Sequence, residues 1–537
     1  MYISAPFAAA ALLFFCLFSL YKSCRSDSHL SPLFTYDGLP CQRTNLFSYG
    51  GLYVTIRRRP ANLADIVIND PELIFWEQNG AAVYIGKYPD IGNTADKPLL
   101  VFVPGLGKSA PYFWEENAMY QKAYFNGFRT AFVSFCPQGE KPQDMWKNGE
   151  FFTRQLEDIC AYYHVPRCVV IAHSKGGVDA QSAAVHYGAS KRIERILTLS
   201  SPHHGSQLAD IAYSTIGWGV ADLMRVHSPG CYCMQTGFMD TFREMTDNSA
   251  KNVTPILTFA GSGGTDASLR LRATTLLLDR YGENDGIVTV KSAHNPKGRH
   301  LDTLQLNHAQ MGDGRFVWPH LLRALGENVR EPHAAEAVVA ASATPISTQT
   351  AQILRGGALQ GGIDEQFYID GTVESFTVHL LVAGAARLPR FTLIAPGGQK
   401  TDFLAKKDGV LTIFYATINK PQIAKWRLTA DRCDGAYTAV ISLRGSGIFP
   451  IHPKSAAAVR TDAELRIVKT LHNGYEIVGE YGLRDILQIP VPPNLENCIY
   501  NLEVRFFGEL EDGSSFERSL LHPLLPCRSI EELVKEQ

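Results

Sequence analysis

The chain alternates short apolar runs with amphipathic stretches between residues 99 and 308, and this alternation constrains the fold more than any other feature. Amphipathic spacing is clearest at Phe152, Leu156, Ile159 and Tyr163, which fall on one helical face. The apolar runs have the length of buried strands: Leu99 to Val103, Thr130 to Phe135, Cys168 to Ala172, Ile196 to Leu199 and Pro255 to Ala260. Strands that alternate with helices predict βαβ units and a mostly parallel α/β sheet with helices on both faces.

The composition and the pattern of apolar runs change after residue 330. Residues 331–350 are small, polar and rich in Ala, Ser and Thr, which is typical of a linker. Beyond them, short runs separated by Gly and Pro predict all-β sandwich structure. These runs include Phe376 to Val382, Phe391 to Ile394, Tyr437 to Ile441, Tyr475 to Val478, Ile486 to Val491 and Leu502 to Phe507. We therefore divide the chain into an N-terminal hydrophobic segment, a large α/β domain, a linker, a β-sandwich domain and a second β-rich domain. The predicted ranges are 1–24, 31–330, 331–350, 351–450 and 451–537.

Composition excludes several functional classes. Of 537 residues, 45% are hydrophobic and 19% are charged, so wholesale disorder is excluded. The net charge of −2 and the single basic run Arg57 to Arg59 give no concentrated basic face, so we expect no nucleic-acid partner. The 11 cysteines show no zinc-type spacing, and their odd number leaves at least one thiol unpaired.

The N-terminus is almost wholly apolar from Ala5 to Tyr21 and is followed by Lys22 and Arg25. This segment fits either an uncleaved membrane anchor or an atypical export signal. By the positive-inside rule, the two basic residues favour a body on the cytoplasmic side of the membrane. The C-terminal β architecture instead favours a secreted or membrane-anchored protein with an extracytoplasmic body, and that is our expectation.

A candidate nucleophile lies in the motif Ala172-His173-Ser174-Lys175-Gly176, which has the pattern A-x-S-x-G. This nucleophile elbow needs small residues at its ends, because the turn from strand to helix is sharp and strained. The pattern occurs a second time, at Ala260 to Gly264, around Ser262. Ser174 directly follows an apolar strand and precedes a segment that can form a packed helix, whereas Ser262 lies in a loop-like composition. We therefore predict Ser174 as the nucleophile and interpret Ser262 as a turn residue.

A serine hydroxyl needs an adjacent base, and in folds with this elbow the acid and the histidine follow it in that order. Asp285 lies in Asn284-Asp285-Gly286 after the apolar run Leu276 to Leu278, which we interpret as a strand. His308 follows an alternating strand that contains Leu304 and Leu306. Taken alone, the aspartate fits an ordinary Asp-Gly turn and the histidine fits a structural role. Their order after Ser174 predicts a Ser174–Asp285–His308 triad.

Two backbone N–H groups are required to bind the oxyanion of an acyl-transfer reaction. One should come from Lys175, the residue after the nucleophile. The other should come from the loop Pro104-Gly105-Leu106-Gly107 after an earlier strand, and we select Leu106. A plain glycine turn is the alternative for this loop. The neighbouring Lys108 and Ser109 do not form a P-loop, because the four-residue spacing of that motif is missing.

With these residues in place, the chain from about 97 to 325 resembles the bacterial-type true lipases. Five motifs carry the resemblance in the family's order: Val103 to Leu106, Ala172 to Gly177, Leu199 to Ser206, Asn284 to Val288, and Asn307-His308. The resemblance implies an α/β-hydrolase fold, hydrolysis of carboxylic esters and a mobile lid near Leu208 to Met245. Lid residues with apolar surface would be Ile216, Trp218, Val220, Leu223 and Met224, and a packed helical cap is the alternative.

The sequence also departs from the family. Pro104 replaces a histidine, and Lys175 would add positive charge to the oxyanion pocket. Gln310 stands where such lipases often have a calcium-ligating aspartate, so the resemblance gives no support for a structural calcium. We expect no required cofactor and no metal. Residues 360–445, around Thr372 to Ser375, resemble the accessory sandwich domains of secreted bacterial proteins.

The resulting expectation is a serine carboxylic-ester hydrolase, similar to triacylglycerol lipases, that acts on a lipid or ester through an acyl-enzyme. Alternatives of the same class are a short-chain esterase, a phospholipase or a polyester depolymerase. An alternative of another class is a surface-attached binding protein whose hydrolase fold is not catalytic. Activity against esters separates these two classes.

Overall fold

A computed structural model describes residues 34–36, 39–49, 52–58, 71–76, 81–90, 94–135, 141–266, 269–326, 350–408, 411–445, 448, 458–484 and 498–525. The predictions for residues 1–24, for 331–349 of the linker and for a strand at Ile486 to Val491 lie outside these ranges.

None of the helices in the described ranges is both long and apolar enough to cross a membrane. Three strands near the N-terminus form an antiparallel sheet in the order β1-β2-β3: β1 (Phe34–Tyr36), β2 (Leu39–Tyr49) and β3 (Leu52–Arg58).

An eight-stranded sheet forms the centre of the next domain, in the order β11-β10-β9-β8-β6-β7-β5-β4. Its strands are β4 (Glu72–Trp76), β5 (Ala82–Ile85), β6 (Leu100–Val103), β7 (Thr130–Ser134), β8 (Cys168–His173), β9 (Ile193–Leu199), β10 (Ile256–Gly261) and β11 (Arg299–Leu304). In this order, each pair of neighbouring strands from β11 to β7 is parallel. The pairings of β7 with β5 and of β5 with β4 are antiparallel. The central strand β8 is buried at every residue, as expected when helices cover both faces of a sheet.

Helices connect these strands. They are α1 (Met119–Phe125), α2 (Met145–Tyr162), α3 (Lys175–His186), α4 (Gln207–Ala212), α5 (Trp218–Leu223), α6 (Pro229–Tyr232), α7 (Thr236–Asp247), α8 (Leu269–Leu278), α9 (Val290–Ala293), α10 (His308–Met311) and α11 (Gly314–Gly326). Asp144 caps α2 by accepting a hydrogen bond from Lys147 N, and Phe152, Leu156 and Ile159 bury the predicted apolar face of α2. The predicted α/β-hydrolase fold is confirmed.

One predicted strand is wrong. The run Leu276 to Leu278 belongs to helix α8, not to a strand before Asp285. Leu271 and Leu278 lie seven residues apart on one helical face and are buried. A run of three leucines is too short to distinguish a strand from a buried helix, so the sequence alone could not decide.

The C-terminal part consists of antiparallel sheets, as predicted. Two sheets, in the orders β12-β20-β14-β18-β17 and β13-β19-β15-β16, pack around one apolar core and form a sandwich. Its strands are β12 (Thr350–Ala358), β13 (Ile363–Ile369), β14 (Ser375–Ala383), β15 (Phe391–Ile394), β16 (Lys400–Asp402), β17 (Leu404–Asp408), β18 (Leu411–Asn419), β19 (Ala424–Ala430) and β20 (Ala436–Arg444). A separate four-stranded sheet, β22-β21-β23-β24, follows: β21 (Ala458–Leu471), β22 (Gly474–Arg484), β23 (Tyr500–Leu510) and β24 (Ser515–Leu524).

Helices α4 to α7 form a cap that packs against both C-terminal units. A single apolar cluster contains Leu208 and Val220 of the cap together with Leu381 and Val440 of the sandwich. Polar contacts reinforce this interface. Thr438 Oγ1 donates to Ile216 O at 3.1 Å, Tyr232 Oη donates to Thr470 O at 3.1 Å, and Thr215 N donates to Glu503 Oε1 at 2.6 Å.

Candidate active site

Ser174 lies at the sharp turn between β8 and α3. Its backbone has φ 56° and ψ −135°, a conformation that L-residues other than glycine adopt only when the surrounding structure enforces it. The turn passes very close to the end of β6. A Cβ at Gly176 would lie 2.5 Å from Pro104 O, and a Cβ at Gly105 would lie 2.7 Å from Ser174 Cβ. Glycine is therefore required at both positions, and the elbow motif predicts a small residue at Gly176.

The structure brings Ser174, His308 and Asp285 together in one hydrogen-bonded chain. His308 Nε2 lies 3.0 Å from Ser174 Oγ, and His308 Nδ1 lies 2.7 Å from Asp285 Oδ2. All three side chains are buried, and Ser174 is only 2% exposed. Since a carboxylate only accepts hydrogen bonds, Nδ1 carries the proton and Nε2 is free to accept the serine proton.

Backbone and side-chain hydrogen bonds fix the Asp285 carboxylate. Its Oδ1 accepts from Ile287 N at 2.9 Å and from Val288 N at 2.8 Å, which leaves Oδ2 for the histidine. The segment after β9 supports this loop, because Ser206 Oγ donates to Ile287 O at 2.8 Å. The motif around Ser206 therefore contributes to the site by holding the acid loop.

His308 is the first residue of α10, and its position is set by a capping box. Asn307 Oδ1 accepts from Gln310 N at 3.1 Å, and Gln310 Oε1 accepts from Asn307 N at 2.9 Å. His308 N also donates to Asp285 O at 2.9 Å, which ties His308 to the loop of Asp285 through the backbone. Gln310 thus has a capping role here.

His173 is a buried residue of the site that the sequence reasoning missed. Its Nε2 donates to His308 O at 2.9 Å, and its ring stacks on Tyr112 at a centroid distance of 5.7 Å. Burial, with a further effect of the nearby His308 ring, lowers the pKa of His173 well below its usual value. His173 is therefore neutral and holds the backbone of the base. A lone histidine in sequence carries no signal for such a role.

The predicted oxyanion donors lie on two adjacent segments beside Ser174. Leu106 follows β6, and Lys175 begins α3. Within the described ranges, neither the Leu106 N–H nor the Lys175 N–H donates to a protein acceptor. The expectation that the Lys175 side chain adds positive charge to this pocket is wrong. Its Nζ instead lies 2.5 Å from Asp179 Oδ1 in a buried ion pair on α3.

Ser262 does not join the hydrogen-bonded chain. Its backbone N–H donates to Leu304 O at 2.8 Å and its Oγ donates to the same oxygen at 3.3 Å. Ser262 therefore anchors the end of β10 to β11. Both nitrogens of His308 are already occupied by Asp285 and Ser174, which agrees with the interpretation of Ser262 as a turn residue.

The cap covers the site. A Cβ at Gly230 of α6 would lie 2.5 Å from Leu106 Cδ1, so the cap packs directly on the oxyanion loop. In the predicted lid, Val220 and Met224 are buried, Ile216 and Trp218 are partly buried, and Leu223 is 47% exposed. This region is packed on the C-terminal units in this structure, as the helical-cap alternative expects.

No three His, Cys, Asp or Glu side chains among the residues described in the structure lie close enough together to hold a metal ion. This holds also for the described residues around Gln310.

Comparison with known proteins gives the same fold. A family model described as "PGAP1-like alpha/beta domain" matches residues 140–270. The lipase BlEst2 of Bacillus licheniformis in its propeptide form is 26% identical, with a TM-score of 0.69 over 82% of this chain and 97% of that one. The mature form of that lipase is 36% identical over 45% of this chain and 97% of that one, with a TM-score of 0.41. A search of curated proteins found no match.

Proposed function

Because the chain belongs to the α/β-hydrolase family of lipases and esterases, we propose that it hydrolyses carboxylic esters through an acyl-enzyme on Ser174. The observation that carries the proposal is the hydrogen-bonded chain from Ser174 through His308 to Asp285, buried at the carboxyl ends of parallel strands. We propose a lipid or other apolar ester as the substrate.

In the proposed reaction, His308 Nε2 accepts the Ser174 proton while Ser174 Oγ attacks the ester carbonyl carbon. The Leu106 and Lys175 N–H groups bind the negative oxygen of the tetrahedral intermediate. His308 Nε2 then gives this proton to the leaving alcohol, and the acyl group stays on Ser174 Oγ. Water attacks the acyl carbon while Nε2 takes its proton, and Nε2 passes that proton to Ser174 Oγ as the acid leaves. Asp285 keeps the proton of neutral His308 on Nδ1 and stabilises the imidazolium ion.

Turnover of nitrophenyl esters with increasing acyl length tests this proposal on the wild type and on Ser174→Ala. We expect the variant to lose kcat by about 10⁴-fold or more, with an unchanged melting temperature. A maximum at long acyl chains favours a lipase, and a maximum at two to four carbons favours a short-chain esterase. A wild type that hydrolyses no ester but binds a lipid or glycan favours the alternative of a non-catalytic binding protein.

We also infer that the C-terminal β units act as a propeptide. Two observations support this inference: the similarity to a lipase in its propeptide form extends over 82% of the chain, and the cap packs against the β units above a Ser174 that is 2% exposed. A specific protease site inserted between residues 331 and 349 tests it. We expect cleavage and removal of the β units to increase ester turnover, and unchanged or lower turnover contradicts the inference.

For localisation we propose an extracytoplasmic body with membrane association through residues 1–24. This proposal depends on the apolar N-terminal sequence and the β-rich C-terminal part. N-terminal sequencing of the protein recovered from membrane and extracellular fractions distinguishes an anchor from a cleaved signal. Recovery only from the cytoplasm contradicts both.

A further inference from the structure

The side chain of Lys175 lies in the interior of the protein, directly behind the proposed nucleophile. Its Nζ lies 2.5 Å from Asp179 Oδ1, and the two side chains are 1% and 2% exposed. Lys175 and Asp179 are four residues apart on α3, so they lie one above the other on the same helical face. A buried ammonium group requires a partner of this kind, because desolvation of an unpaired charge is strongly unfavourable.

The ion pair connects helix α3 to helix α2. Asn148 on α2 donates through Nδ2 to Asp179 Oδ2 at 3.0 Å. Burial opposes the charged form of Lys175, but Asp179, Cys233 of the cap and Asp144 at the start of α2 together raise its pKa. Burial raises the pKa of Asp179 to about 6, against the opposing effects of Lys175 and Asn148. Both groups are therefore charged at neutral pH. Polar or charged side chains of α2 and of the cap lie around the pair and influence its pKa values.

The first turn of α3 has few side chains that could fix its position. It begins with Lys175, Gly176 and Gly177, and both glycines are required by close contacts with neighbouring backbone or side-chain atoms. Glycines have no side chain that could hold the turn, and their backbone is the most flexible of all residues. Ser174, immediately before Lys175, has a strained positive φ of 56°. Among these first three residues of α3, Lys175 is the one with a side chain that can hold the turn.

We propose that the Lys175–Asp179 ion pair positions the backbone at the nucleophile elbow, so that the Lys175 N–H points at the oxyanion. Both are positioning residues, because they act through the backbone and not by contact with the substrate. The inference rests on the proposed function, since it assigns a role to the N–H group that the proposed reaction uses. It also explains why a lysine side chain beside the nucleophile is turned away from the oxyanion pocket.

The test must separate positioning from a purely structural role. Replacing both partners of a buried ion pair with apolar residues of similar size often leaves stability unchanged. We therefore choose the double variant Lys175→Met/Asp179→Leu in the full chain, with Arg518→Met/Asp370→Leu as the matched control. Arg518 and Asp370 form another buried pair, 2.8 Å apart and 0% exposed, in the β units. The readouts are kcat and KM for a nitrophenyl ester, together with the melting temperature.

We expect the Lys175→Met/Asp179→Leu variant to lose kcat by about 10- to 100-fold with KM changed less than threefold, whereas the control double variant keeps wild-type kcat. If the wild type is active and the folded double variant has the same kcat, the positioning role is overturned and the proposed function is not. A wild type that hydrolyses no ester overturns the proposed function and this inference with it. The second variant, Asp179→Asn, guards against failure of the double variant to fold.

Asp179→Asn removes the charge but can keep the geometry. Its Oδ1 can accept from Lys175 Nζ while its Nδ2 donates to Asn148 Oδ1, which has no partner among the described residues. Because the hydrogen bonds can remain while the ion pair is lost, we expect this variant to lose kcat by about 3- to 10-fold, less than the double variant, with KM changed less than threefold. A folded Asp179→Asn variant with wild-type kcat overturns positioning by the ion pair.

Discussion

Replacing Asp285 with asparagine should abolish catalysis while leaving the fold intact. The carboxylate uses Oδ1 for the N–H groups of Ile287 and Val288, at 2.9 and 2.8 Å, and Oδ2 for His308 Nδ1, at 2.7 Å. An asparagine amide can serve only one of these two sides with its oxygen. Turning its NH₂ toward the two backbone N–H groups would leave two buried donors unpaired, at about 1–3 kcal/mol each.

The amide oxygen therefore stays on the backbone side, and the NH₂ group faces the imidazole. His308 Nδ1 must then accept a hydrogen bond, so the ring proton moves to Nε2, opposite Ser174 Oγ. In this tautomer the imidazole cannot take the serine proton. We expect kcat to fall by about 10⁴-fold, as expected for a triad whose histidine is held in the wrong tautomer. Replacing one charge-assisted hydrogen bond with a neutral one should lower stability by only about 1–2 kcal/mol.

The assay is steady-state hydrolysis of a nitrophenyl ester by the wild type, Asp285→Asn and the control Asp302→Asn, with melting temperatures for all three. Asp302 lies on β11, and its side chain is 46% exposed. We expect wild-type kcat for the control. A folded Asp285→Asn variant that keeps kcat within tenfold of the wild type would refute the assigned tautomer and the role of the acid.

Further predictions concern packing, the second serine motif and pH. A Cβ at Gly177 would lie 2.2 Å from Ser201 Oγ, so Gly177→Ala should lower the free energy of unfolding by about 1–3 kcal/mol in urea, whereas Gly326→Ala, with open space around it, should not. Ser262→Ala should keep wild-type kcat against nitrophenyl esters, and a loss above tenfold would reopen the choice of nucleophile. Burial raises the pKa of Asp210 from 3.8 to about 7, so the folded state binds this proton more tightly than the unfolded state. The stability that this group contributes is fully present below pH 4 and decreases as the pH rises to 7. Asp210→Asn should remove this pH dependence of the free energy of unfolding, measured in urea at several pH values. An unchanged pH dependence in the variant contradicts the prediction.

The parts of the site that depend on local sequence could be predicted. Ser174 and its glycines follow from the steric demands of a strand–turn–helix segment, which are visible within a few residues. The order of Asp285 and His308 after Ser174 gave the remaining members of the hydrogen-bonded chain. The helix at Leu276 to Leu278 could not be distinguished from a strand, because three apolar residues have no periodicity.

The remaining features depend on long-range packing. The spacing of Lys175 and Asp179 is visible in the sequence, but the burial of this pair depends on Asn148 of another helix. The role of His173 depends on the position of the His308 carbonyl, 135 residues further along the chain. In the same way, nothing in the cap sequence around Val220 indicates that its apolar residues pack against the C-terminal sandwich instead of solvent or substrate.

Covalent labelling of the full chain with a fluorophosphonate probe, followed by peptide mass mapping, tests the central claim most directly. The probe phosphonylates an activated serine and marks it by its mass. We predict one labelled site, Ser174, in a wild-type protein that hydrolyses esters, and no labelling in Ser174→Ala. An ester-hydrolysing wild type labelled at Ser262 or at another serine, with Ser174 unmodified, would contradict the account.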